Sequence, residues 1–236
     1  MVAFGEQQQI VSQAKTLDSI ENQASYINRR VEVLTTFGSI CRAHSDYWKF
    51  LICGSGMCGE MATANINLMN AAGLITCEVT IPGEHAFVEV NVDGEWLIPS
   101  GSSMINRTVF ANNRLRNPGS LSYVIARTGD SFIELTQYYV STDLVTIRVT
   151  QNYMPVSGVK LSLHRSGVLS ATIPDADLFF YTDVNGTATF HLGKPNFIGQ
   201  YEKTDLFYKV LIDGKETNYN ITSTGTGKCV LLEISL

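Results

Sequence analysis

Gly54-Ser-Gly-Met-Cys58-Gly-Glu-Met-Ala-Thr-Ala-Asn-Ile-Asn-Leu-Met-Asn-Ala-Ala-Gly73 is the stretch that decides how this chain folds. Glycines lie on both sides of Cys58, and Met61, Ala62, Asn65, Leu68, Met69 and Ala72 recur at helical spacing. The pattern predicts a buried helix with Cys58 on its first turn. Unpaired backbone N–H groups and the positive end of the helix dipole gather there, and both favour thiolate over thiol. A cysteine so placed is equipped to be a nucleophile.

Downstream, Ile75 to Ile81 reads as a strand, and Glu84 to Val92 alternates apolar with polar residues. Asp93-Gly94 is a tight-turn pair, and Glu95 to Pro99 supplies the returning strand. The result is a hairpin that opens near His85. A thiol at a helix N-terminus beside an imidazole on a strand is the Cys–His arrangement of thiol acyl-transfer enzymes.

Several segments then line up in order: Gly56-Met-Cys58-Gly-Glu60-Met-Ala62, a helix end Ala71-Ala-Gly-Leu74, His85-Ala-Phe-Val-Glu-Val90, Asp93-Gly-Glu-Trp96, and Pro99. Together they resemble the transglutaminase-like superfamily, a papain-related thiol fold. The resemblance implies an α+β core with a helix packed on an antiparallel sheet, Cys58 as nucleophile and His85 as base. The family's third member is usually an Asp just beyond the hairpin Trp; here the aligned residue is Ser100. An Asp would orient the imidazole through a charge-assisted hydrogen bond, about twice as strong as the neutral bond a serine offers. Asp93 sits at the far turn, and Glu84 and Glu89 flank His85 as substitute carboxylates whose reach strand alternation leaves open. In similar proteins a polar side chain upstream of the cysteine joins the oxyanion hole. The indole N–H of Trp48 is the candidate, against the plainer reading of an aromatic packed beneath the helix.

The chain has 236 residues, 44% of them hydrophobic and 17% charged, enough for one large or two moderate cores. A net charge of −5 gives no electrostatic reason to expect nucleic acid, which is gripped by clustered Lys and Arg. No apolar run approaches the roughly 20 residues that span a bilayer. The start Met1-Val-Ala-Phe-Gly lacks a basic segment followed by an apolar one, so the expectation is an intracellular protein or one whose signal has been removed. The five cysteines, Cys41, Cys53, Cys58, Cys77 and Cys229, have no regular spacing and argue against a disulfide framework or a zinc site. Cys41, Cys77 and Cys229 read as small buried hydrophobes, and Cys53 is near enough to Cys58 for a regulatory disulfide. No metal or cofactor is expected.

Outside the core, Asp18-Ser-Ile-Glu21 resembles a capping box, and Ile20, Ala24, Ile27, Val31 and Leu34 predict a helix from about 19 to Phe37, ended by Gly38. A shorter helix is expected over Glu6 to Lys15. Gly101 to Gly119 reads as a long loop, with room for a short helix, that walls the cleft. Its Arg107, Arg114 and Arg116 are either solvated or free to meet an acidic substrate group. Leu121 to Arg127 and Phe132 to Val140 read as two further strands. From about Ser141, seven short alternating segments separated by turn signals predict a β-sandwich. Pro155 to Leu163 and Tyr181 to Phe190 are similar to the transthyretin-like, carboxypeptidase-regulatory-like type. His164 and His191 fall in strand patterns there as structural residues. The expected division is residues 1–140 and 141–236.

The functional expectation is thiol-dependent acyl transfer on a peptide or amide, with hydrolysis and cross-linking both open. The partner is a protein or peptide substrate. The alternative, motivated by Ser100, is a degenerate core that binds peptide or cell-surface glycan without turnover; a third reading makes Cys58 merely a small buried residue at a helix start. The architecture resembles that of bacterial periplasmic or extracellular proteins, with a cytoplasmic location as the alternative. Asn106, Asn185 and Asn220 head Asn-x-Thr triplets that matter only in a eukaryotic secretory pathway.

Overall fold

A computed structural model of the chain describes residues 4–37, 55–56, 58–81, 85–116, 121, 123–128, 131–165, 178–194 and 207–236. Trp48, Cys41, Cys53 and Glu84 lie outside these residues, and so do the side chains of Arg114 and Arg116. Contacts divide the chain into two compact units. One is Met1–Thr80, His85–Phe110 and Ala126–Ile133; the other is Ile81–Glu84, Ala111–Ile125 and Glu134–Leu236. The fold is mixed α and β, with mainly antiparallel pairing.

Among its described residues the first unit sets the helices Phe4–Ala14, Ile20–Leu34 and Cys58–Ala72 against a sheet. Ser19 caps the second helix through its hydroxyl, which accepts from the Asn22 amide at 3.2 Å. Three residues beyond that cap stands Asn22, not Glu21, and its side chain donates back to the Asp18 carboxylate at 2.8 Å. The predicted capping box is therefore corrected to a serine cap with an Asn–Asp tie. The helix ends at Leu34 rather than Phe37: β-branched Thr35 turns extended, and Thr36–Phe37 forms a short strand, β1, paired in parallel with β2, Ser55–Gly56.

Helix Cys58–Ala72 ends as its Ala-Ala-Gly-Leu sequence requires. Gly73 takes φ +95°, its amide donates to Asn70 O and the Leu74 amide to Met69 O, each at 3.0 Å. These two bonds are the Schellman closure, for which a residue without Cβ is favoured. The six-stranded sheet runs β6-β5-β4-β3-β7-β8, with β3 Thr76–Ile81, β4 His85–Val92, β5 Glu95–Ser100, β6 Ser103–Asn106, β7 Ile125–Thr128 and β8 Ser131–Glu134. Asp93 and Gly94 both have positive φ, 52° and 93°, the tight hairpin turn their identities foretell. Val88, Val90 and Val92 on β4 join Ile27, Leu68 and Met69 in one buried cluster. Burying each such side chain contributes about 1.5–3 kcal/mol.

Two expectations here are overturned. The stretch after Gly101 is not a long loop; within the described residues it is strand β6 followed by a ten-residue helix, Arg107–Arg116. Asn106 starts that helix by accepting the Val109 amide on Oδ1 at 2.9 Å, a capping signal present in the sequence. Nor does a strand run from Phe132 to Val140. Strand β8 stops at Glu134, whose carboxylate takes the Thr136 amide at 2.5 Å, and Thr136–Tyr138 winds as a 3-10 turn.

In the second unit all seven expected strands form, with β9 at Asp143–Gln151, β11 at Lys160–Arg165, β12 at Leu178–Tyr181, β13 at Thr187–Leu192, β14 at Tyr208–Ile212, β15 at Lys215–Ile221 and β16 at Cys229–Ser235. A two-residue strand, β10 at Met154–Pro155, joins them. One sheet holds β10-β9-β13 with β16 parallel to β9; the other runs β12-β11-β14-β15. Val145, Ile147 and Val149 alternate inward from β9 and share one buried cluster with Leu161, Leu163 and Val210 of the other sheet. Phe180 and Phe190, one from each sheet, stack with centroids 4.1 Å apart.

Asp143 opens β9 as a buried carboxylate, 1% exposed. It accepts the backbone amides of Thr224, Gly225, Thr226 and Lys228 at 2.6–3.2 Å and the hydroxyls of Ser223 and Thr224. Burial by itself would raise its pKa; the Thr224, Lys228 and Thr226 amides more than reverse this and hold the carboxyl well below the usual range. Cys229 corrects another expectation: it is exposed, not buried. His191 is structural, its Nδ1 3.1 Å from Glu134 Oε2.

Candidate functional site

Cys58 is the first residue of its helix, half-buried and free of any disulfide. Its position follows from a glycine-flanked sequence giving way to helix-forming residues. The helix has 15 residues and spans about 22 Å, while the six residues of β3 run back about 20 Å. The Asn91 amide donates to Ile75 O at 2.9 Å, tying the far end of β4 to the start of β3. His85 stands at the other end of β4.

Along β4 the two faces differ. Val88, Val90 and Val92 meet the helical cluster, and the alternate residues His85, Phe87 and Glu89 project from the opposite face. There the His85 ring stacks on Phe87 and Phe110 with centroids 5.7 and 6.4 Å away, and the two phenyl rings are 4.4 Å apart. Glu89, 0% exposed, receives Arg107 on both oxygens: Nε donates to Oε1 at 2.7 Å and Nη2 to Oε2 at 2.6 Å. Arg107 is thus neither solvated nor open to an acidic substrate, and Glu89 is held by a guanidinium rather than standing as a substitute for the missing Asp.

Ser100 ends β5 and is exposed; its carbonyl accepts from Ser103 Oγ at 3.1 Å. The β4–β5 register pairs Val90 with Leu97 and Val92 with Glu95.

The thiol of Cys77, on β3, lies 3.8 Å from Glu89 Oε2. Burial first, and the Glu89 charge second, push its pKa up to about 12, partly offset by Arg107. Cys77 is a poor nucleophile. Among the described residues no group of three or more His, Cys, Asp or Glu is arranged to hold a metal, and no helix is long and apolar enough to cross a membrane. Sequence reasoning missed the Glu89–Arg107 pair and Phe110. The Asn106 cap was the available signal, since it starts a helix whose first turn carries both Arg107 and Phe110.

No protein-family profile and no curated protein matches the chain by sequence. Among solved structures it is similar to one from Parabacteroides distasonis described as a "putative protease", with TM-score 0.40, 17% identity, and 70% of this chain and 34% of that one covered. It is also similar to one from Cytophaga hutchinsonii described as a "putative cysteine protease", with TM-score 0.34, 13% identity and coverages of 42% and 39%. The matches span about a third and two fifths of those chains.

Proposed function

We propose that the first unit is a transglutaminase-like, papain-related thiol core that transfers acyl groups from peptide or amide substrates, with Cys58 as nucleophile and His85 as base. What supports this reading is that a free thiol begins a 15-residue helix and an imidazole begins a strand whose Val88 and Val90 pack against Leu68 and Met69 of that helix. In the step proposed, Cys58 Sγ bonds to the substrate carbonyl carbon, the C–N bond breaks, and His85 gives the departing amine its proton. Water or a second amine then takes the acyl group from sulfur and regenerates the thiol. On this reading Trp48 assists the oxyanion, and residues 141–236 form a transthyretin-like β-sandwich. The location proposed is periplasmic or extracellular.

The deciding experiment is the rate of Cys58 alkylation by iodoacetamide, mapped by peptide mass spectrometry, in the native protein and in His85→Ala. A drop of about tenfold or more in the variant supports the pair, given that a positioned acid–base group contributes roughly 10²–10⁴-fold to a reaction. Ser100→Asp supplies the charge the site lacks and is expected to raise the rate. If His85→Ala and Ser100→Asp both leave Cys58 unchanged, the acyl-transfer reading fails.

The second reading, a core that binds peptide or glycan without turnover, is favoured by one feature: the third position carries an exposed, uncharged Ser100. A reactive Cys58 that turns over no peptide or ester substrate would select it.

A further inference from the structure

We infer that Glu89 and Arg107 are positioning residues for His85, fixing the aromatic rack on which the imidazole rests. The inference deepens the proposed function and rests on that reading for its link to Cys58, though the geometry stands by itself. His85, Phe87 and Glu89 are alternate residues on one face of β4, so about 13 Å of strand separates the imidazole from the carboxylate. Arg107 and Phe110 are three apart on one helix and therefore share a helix face. The two rows meet twice. At one end the guanidinium fork grips both oxygens of the buried Glu89 at 2.7 and 2.6 Å; at the other Phe110 closes on Phe87 and on the His85 ring.

A carboxylate removed from water needs a partner, and a bidentate guanidinium supplies one in a single geometry. That geometry sets where the helix begins. Where the helix begins sets where Phe110 lies, and the Phe87–Phe110 pair then limits how the His85 ring can turn. A Lys in place of Arg107 keeps the charge but loses the fork, so the helix start would be held at a point and not in an orientation.

The test uses the full chain with Arg107→Lys, Phe110→Ala and the paired replacement Glu89→Met with Arg107→Met, which removes both charges together and avoids stranding one. Thermal unfolding identifies the variants that keep the native transition. In those, the ring proton shifts of His85 are read by NMR, because two phenyl rings against an imidazole displace them, together with the Cys58 alkylation rate. The expected result is His85 signals displaced from their native positions and Cys58 labelling slowed about threefold to tenfold in folded Arg107→Lys and Phe110→Ala. A pair that merely holds the fold would leave the His85 signals in place, and that outcome in Arg107→Lys overturns the inference. Should all three fail to fold, His85 signals in Arg107→Lys under a stabilising osmolyte give the same reading. If His85→Ala does not affect Cys58 while Arg107→Lys still moves the His85 signals, the acyl-transfer reading falls and the positioning stands.

Discussion

Among the described residues each unit buries one carboxylate, and the two are satisfied by different means. In the second unit Asp143 is wrapped by four backbone amides of the 223–228 loop. In the first, Glu89 is gripped on both oxygens by the side chain of Arg107, carried on a separate helix. Backbone donors are fixed wherever the loop is fixed, so Asp143 welds a loop to a strand. A side-chain donor transmits position between elements, so Glu89 can govern where a helix stands beside a candidate reacting group. The difference teaches that a buried charge has a role set by what answers it.

Asp143→Ala offers the strongest way to break the comparison. It strips the acceptor from several buried donors at once and is expected to cost about 4 kcal/mol or more, measured by chemical denaturation. A loss under about 1 kcal/mol would mean the loop is held by something else. The pH dependence has a definite sign. Because the folded carboxyl is held below the ordinary range, its stabilising contribution is complete above the unfolded-state pKa near 3.9 and is lost as pH falls below it. Asp143→Asn should flatten that acid limb.

Next in size is Glu89→Ala, expected to cost about 3 kcal/mol because it leaves the mostly buried Arg107 guanidinium without its partner. Comparing it with the Glu89→Met, Arg107→Met pair sharpens the point: the pair should recover most of that loss, whereas no single apolar replacement at Asp143 can satisfy the amides around it. Gly186→Ala tests the backbone-built unit elsewhere. Gly186 has φ +70°, and an added Cβ would lie 2.5 Å from Val149 O and 2.9 Å from Val156 N, both backbone atoms. A loss of about 2 kcal/mol is expected from strain and clash. The smallest effect concerns Cys77: near neutral pH iodoacetamide should label exposed Cys229 readily and leave Cys77 almost untouched in the folded protein, since its thiol ionises only near pH 12. Rapid labelling of Cys77 would show that its thiol is not kept from solvent in the folded protein.

The cysteine-headed helix was legible in the sequence because its spacing, its glycine stop and the hairpin turn at Asp93-Gly94 all act within a few residues. The alternating segments after Ser141 were legible for the same reason. Helix Arg107–Arg116 was obscured because Asn-rich, Arg-rich sequence has little apolar periodicity, and its Asn106 cap was the one local cue. The run from Leu135 to Val140 is rich in β-branched and aromatic residues and reads as a strand, but the Glu134 carboxylate takes the Thr136 amide that a strand would have needed.

By itself, then, the sequence determined where the elements begin and turn, and that Cys58 heads a helix and His85 a strand. Those outcomes depend on propensity, period and capping, which are local. Only the tertiary structure decided that His85 stands on the β4 face away from the helical core, that Phe110 reaches it, and that Glu89 finds Arg107 eighteen residues away. Such pairings depend on how separately formed elements dock, and docking answers to buried area and uncompensated charge, neither of which is written at any one position of the chain.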